Sequence, residues 1–172
     1  MNPQRESWQE LRDRRNLEPG AAEAYEQVRI EHGAEPGRVR AILLTPGGHL
    51  LTIKRVRPGQ APYWVFPGGG IEPGDASPED ALLREVREEL GGSAVIESIF
   101  YLDPRGEYFY LARIDAWDPA LRTGPEFADP GRGEYIIEEI PIDRLAEIDL
   151  KPEEVAKRLI SSGKVHRPAA GS

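Results

Sequence analysis

The sequence predicts an α+β or α/β sandwich, and three observations carry that expectation. Short β-branched and aromatic runs are interleaved irregularly with only a few helical stretches. One helix, over residues 77–90, has its start, body and stop written locally. With 39% apolar and 30% charged residues among 172, the chain can fill one packed core but has little length for two.

Residues 1–36 read as an N-terminal helical extension. Residues 7–15 suit a short helix that Pro19-Gly20 breaks, and residues 21–32 a second, alanine-rich one stopped by Gly33. The thin apolar face of the second helix suits a decoration packed on this domain or a homodimer contact with a second subunit. From Arg38 the pattern turns to strands, with residues 39–45 ending at Pro46-Gly47-Gly48 and residues 49–55 as their hairpin partner. Residues 63–66 form a short strand closed by Pro67, and a glycine-rich loop leads into the helix at 77–90. Strands resume over 94–102 and 107–114, where alternation places one of Phe109 and Tyr110 inward. A long loop at 118–133 is followed by a strand at 135–140 and a short helix over 142–148. The last helix begins at Pro152, with Glu153 and Glu154 in its first turn and Lys157 and Arg158 later, as the helix dipole favours. Residues 37–162 make the main domain and 163–172 a flexible tail.

Composition removes several functions. Lys+Arg of 22 against Asp+Glu of 30 gives a net charge of −8, which argues against duplex nucleic acid or an anionic membrane as partner. It leaves room for a local basic pocket. The absence of cysteine excludes disulfides, thiolate zinc sites, iron–sulfur clusters and cysteine nucleophiles. With no apolar run near membrane length and no secretory core at the N-terminus, a cytoplasmic protein is expected.

Chemistry concentrates in residues 68–92. Ser77 is a good N-cap, Pro78 suits the first helical position, Asp80 sits where a capping-box acid would, and Gly91 or Gly92 ends the helix. Leu82, Leu83, Val86 and Leu90 fall on one stripe, and Glu85, Glu88 and Glu89 lie beside it within roughly 100° of arc. Glu85 and Glu89 are a like-charge pair that costs an isolated helix about 0.2–0.5 kcal/mol. Divalent cations would relieve that cost, since Mg²⁺ prefers hard oxygen ligands. A glutamate-rich face is also what a solvated helix shows. The preceding Gly68-Gly69-Gly70 permits close backbone approach, which favours a site over a decorated surface.

These residues resemble the signature of the Nudix hydrolases, G-x5-E-x7-R-E-U-x-E-E-x-G-U, with U a bulky aliphatic residue. Gly69, Asp75 and the run Arg84-Glu85-Val86-Arg87-Glu88-Glu89-Leu90-Gly91-Gly92 match most of it. Asp75 stands for the first glutamate, one extra residue precedes Arg84, and Gly92 replaces the last aliphatic. The first two departures weaken a role carried over to Asp75, and the third loosens packing after the helix.

The resemblance implies a Nudix-like α/β/α sandwich with a mixed sheet, and cleavage of a nucleoside diphosphate linked to another moiety. It implies Mg²⁺ or Mn²⁺ as cofactor, held by Glu85, Glu88 and Glu89 with the Gly68 carbonyl. Arg84 would orient the glutamates, and the general base would be Glu85 or Glu126 of the long loop. For a nucleotide-type substrate, Lys54, Arg55 and Arg57 offer phosphate-binding cations and Trp64 an aromatic face; a basic loop with core aromatics explains the same residues. A nucleotide-sensing regulatory domain without turnover is the alternative, and hydrolysis at the 5′ end of RNA a third reading, disfavoured by the charge.

Overall fold

Strand β1 (Arg38–Leu44) is apolar on both sides of its pleat, a pattern that only a strand covered on both faces sustains. Val39, Ala41 and Leu43 enter one core cluster and Ile42 the other. The computed structural model describes residues 36–124 and 129–162. The expected N-terminal helices, the tail and Glu126 lie outside those residues.

Around β1 a mixed sheet of eight strands is built. Strand β2 (Leu50–Val56) returns from the Pro46-Gly47-Gly48 turn, as expected, but pairs with β1 only at Leu43↔Leu51 and Leu44↔Leu50. The two strands then diverge. Strand β3 (Tyr63–Val65) takes the freed edge of β2, and β4 (Gly68–Gly70) takes that of β1. The triple glycine is therefore a strand, not the loop that its composition suggested. Strand β5 (Gly92–Asp103) forms an antiparallel ribbon with β6 (Glu107–Trp117), and β6 lies parallel to β1. Strand β7 (Glu134–Ile140) pairs with β2 along its length, and β8 (Leu150–Lys151) adds to β3.

Helix α1 (Pro78–Leu90) covers one face of the sheet. Helix α2 (Glu153–Ser162), with a 3₁₀ turn over Ile142–Glu147 where a short helix was expected, covers the other. This is the α/β/α sandwich anticipated. Both covers explain why Phe109 and Tyr110 are each fully buried, on opposite faces, where one inward residue was expected. Phe109 packs edge-on against Phe66 at 5.9 Å between ring centroids.

The local signals of α1 are all used. Ser77 Oγ accepts the Asp80 N–H at 3.0 Å, Pro78 opens the helix, and Gly91 closes it at φ 65°. Ala81, Leu82, Val86 and Leu90 are fully buried, each leucine contributing about 2 kcal/mol of apolar transfer. Leu83 departs from the expected stripe and is only half-buried. Gly92 is packed tightly, contrary to the expected loosening: a Cβ there would stand 2.7 Å from the Ala116 carbonyl oxygen.

Candidate active site

Where β1 and β2 diverge, the sheet opens into a cavity of about 450 Å³. Arg38 and Arg40 of β1, Ile53 and Arg55 of β2, Tyr63 and Val65 of β3, and Gly68 and Gly69 of β4 line it. Glu85, Glu88 and Glu89 of α1 face it from one side, with Glu72 beside them. Arg132 and Tyr135 complete the lining.

The acidic wall rests on two glycines. Gly68 has φ 147°, and a Cβ there would meet the Val39 carbonyl oxygen at 2.0 Å. Gly69 lies so close to Glu85 that a Cβ would stand 2.5 Å from Oε1. Glu89, only 9% exposed, accepts the Gly68 N–H through Oε2 at 2.9 Å. The strand thus fixes one carboxylate by its amide and admits another by its missing side chain.

Arg84 binds this wall together. Its Nε and Nη2 donate to the two oxygens of Asp75 at 2.9 and 3.0 Å, and Nη2 also to the Gly70 carbonyl. Nη1 donates to Glu85 at 3.2 Å and Glu88 at 3.1 Å. The guanidinium holds the Asp75 carboxyl below the usual aspartate range, and the surrounding carboxylates raise Arg84 above its own. Asp75 also accepts the Glu72 N–H at 2.8 Å. The shortened side chain and the extra residue therefore compensate each other, and Asp75 is a two-point partner of Arg84 despite both departures. Sequence reading missed this because an Asp one residue out of register reaches the same guanidinium by a different path.

The three glutamates line one cavity, yet among the described residues no three acidic or histidine side chains stand together as a metal cage. Glu85 and Glu88 point to Arg84, and Glu89 points to Gly68. Their oxygen chemistry fits a hard divalent cation, as does the Gly68 carbonyl, which here accepts Arg40 Nη1 at 3.3 Å.

The cationic wall divides the residues expected to meet substrate. Arg55 is 9% exposed, stacks on Tyr135 with its guanidinium 3.5 Å from the ring centroid, and donates to the Arg132 carbonyl at 2.8 Å. Its buried Nε finds no acceptor among the described residues. Lys54 and Trp64 do not line the cavity; they form a cation–π pair at 5.2 Å, with Trp64 packed against the opposite core. Arg57 does not line it either. Alternation along β2 makes this choice, since Arg55 shares the face of Ile53 and Lys54 takes the other. Sequence reading missed Arg38, Arg40, Arg132 and Tyr135, which only strand pairing brings to the cavity.

Residues 35–158 match the profile of the NUDIX domain family. The CTP pyrophosphohydrolase of Escherichia coli K12 is 37% identical over 79 residues, 46% of this chain and 58% of that protein. The nucleoside triphosphatase NudI of Escherichia fergusonii is 52% identical over 44 residues, 26% of this chain and 28% of its own length. The chain thus matches less than two thirds of either relative. A solved NUDIX hydrolase from Nitrosomonas europaea superposes with a TM-score of 0.55 at 20% identity, over 81% of this chain and 97% of that one, a likeness of fold. No helix among the described residues is long and apolar enough to cross a membrane.

Proposed function

Because the chain belongs to the NUDIX family, we propose that it is a metal-dependent pyrophosphohydrolase acting on a nucleoside diphosphate linked to another moiety. The observation that carries this reading is a single cavity lined both by Glu72, Glu85, Glu88 and Glu89 and by Arg38, Arg40, Arg55 and Arg132, with Arg38 and Arg40 sharing Glu107 and Arg55 free of any carboxylate among the described residues. A polyphosphate needs both: cations against its oxygens, and carboxylates to bind the ions that neutralise it. The names of the two relatives, a CTP pyrophosphohydrolase and a nucleoside triphosphatase, support a nucleotide substrate.

Glu85, Glu88 and Glu89 would hold Mg²⁺ or Mn²⁺, with the Gly68 carbonyl beside them. When bound, such an ion screens phosphate charge and lowers the pKa of a coordinated water. Arg84 is a positioning residue, because its donors are already spent on Asp75, Glu85, Glu88 and Gly70. Arg55 presents a buried charge to phosphate oxygens from an aromatic support. Glu85 takes the proton of the attacking water.

The test is release of phosphate, pyrophosphate or nucleoside monophosphate across a panel that includes CTP, ADP-ribose and nucleotide sugars. Turnover with Mg²⁺ or Mn²⁺ that chelator abolishes is expected; no release from any panel member with either ion overturns the reading. Nucleotide binding without turnover is the competing reading, favoured by the engagement of Glu85 and Glu88 with Arg84. Tight nucleotide binding with a silent panel would select it.

A further inference from the structure

We propose that Arg122 is a positioning residue that sets the separation of the two walls of the cavity, an inference that rests on the metal-dependent reading above. Its Nε donates to the main-chain carbonyl of Glu89 at 2.7 Å, and its Nη1 to that of Tyr135 at 2.9 Å. Glu89 belongs to the last turn of α1, where helical carbonyls lack partners within the helix. A positive charge there also suits the helix dipole.

Capping alone does not explain the contact. The amides of Thr123 and Gly124 reach the Glu88 carbonyl at 3.1 and 3.4 Å, and the Gly91 N–H returns to Arg87 at 3.0 Å. The guanidinium adds a second arm that leaves the helix for β7. At the far end of that arm, Tyr135 carries the guanidinium of Arg55 on its ring. At the near end, the Glu89 side chain holds the Gly68 amide. One planar fork therefore ties the main chain of the residue that carries the buried carboxylate to the main chain of the residue that supports the buried cation. A lysine supplies the charge but only a point donor, so it cannot hold two carbonyls in a fixed plane.

The test compares the full-length protein with Arg122→Ala, Arg122→Lys and Ser77→Ala, the last removing only the N-cap of α1. Mn²⁺ affinity is read by electron paramagnetic resonance of the free ion, kcat and KM on whichever panel substrate is turned over, and thermal midpoint by circular dichroism. Arg122→Ala is expected to weaken Mn²⁺ binding by about tenfold and to raise KM by a similar factor, as loss of a supporting partner does. Arg122→Lys recovers thermal stability but neither of the two. Ser77→Ala lowers the thermal midpoint and leaves Mn²⁺ affinity and KM as in wild type. Wild-type Mn²⁺ affinity and KM in Arg122→Ala, or full recovery of both by lysine, overturns the proposal alone. Should Arg122→Ala fail to fold, Arg122→Lys decides by the same two readouts. A wild-type protein that binds no Mn²⁺ overturns this proposal, and the functional reading falls with it only if the panel is also silent with both ions.

Discussion

The two walls of the cavity are built on different principles. Every charged group described on the acidic wall is held by a neighbour close in sequence: Arg84 grips Asp75, Glu85 and Glu88, and Glu89 takes the Gly68 amide. Among the cations of the cavity, Arg38 and Arg40 share the Glu107 carboxylate, whereas Arg55 leans on an aromatic ring and one carbonyl contributed by residues about 80 positions away, with its Nε unpaired among the described residues. A network that satisfies itself is rigid before any ligand arrives; a buried cation lacking a carboxylate is poised for an anion from outside. On the function proposed above, the contrast would give the acidic wall the organisation of the reaction and Arg55 the capture of substrate.

That division is most directly broken at Glu89. Glu89→Gln keeps an oxygen for the Gly68 N–H and removes only the charge, so the fold should survive while kcat falls by about 100-fold or more. Circular dichroism and steady-state kinetics check it, and undiminished turnover would separate catalysis from this wall. A smaller and different effect is expected opposite. Arg55→Ala should raise KM by about tenfold with a lesser change in kcat, since a phosphate-binding charge is worth roughly 1.5–3 kcal/mol in charge-assisted hydrogen bonds. Lys54→Ala, on the other face of the same strand, should leave both constants within about twofold; equal losses at the two positions would mean that β2 does not discriminate its faces.

The smallest effect concerns pH. Arg84 lowers the folded-state pKa of Asp75 below its ordinary value of 3.8. A carboxylate depressed in this way stabilises the protein above its unfolded pKa, and the contribution is lost as pH falls through the folded value. Thermal midpoints should therefore drop more steeply below about pH 4 in wild type than in Asp75→Asn, whose neutral side chain has no such charge to lose. Parallel slopes for the two proteins would show that Asp75 does not carry the clamp.

Legibility followed the same line as the two walls. Ser77, Pro78 and Gly91 mark α1 with no help from the rest of the chain, and the glutamates on it appear at their helical spacing. Arg55 was visible as a cation near the site, but its sequence neighbours Lys54 and Arg57 carried the same signal, and only the sheet separates them. The glycine triplet read as a point of close backbone approach in the loop before the helix; it became a strand because β1 left β2 and offered an edge. Arg122 had no signal at all, since nothing local marks an arginine whose partners are the end of a helix and a strand on the other wall.

The sequence by itself determined the helix, its caps, the row of carboxylates and the alternation that marks the strands. These depend on contacts three or four residues apart or on simple alternation, which the chain specifies locally. The tertiary structure decided which face of β2 looks into the cavity, how β1 and β2 part to create it, and which distant arginines surround it. Strand pairing joins segments far apart in sequence, and a shift of one residue in register exchanges every side chain between faces, so no local reading contains that choice.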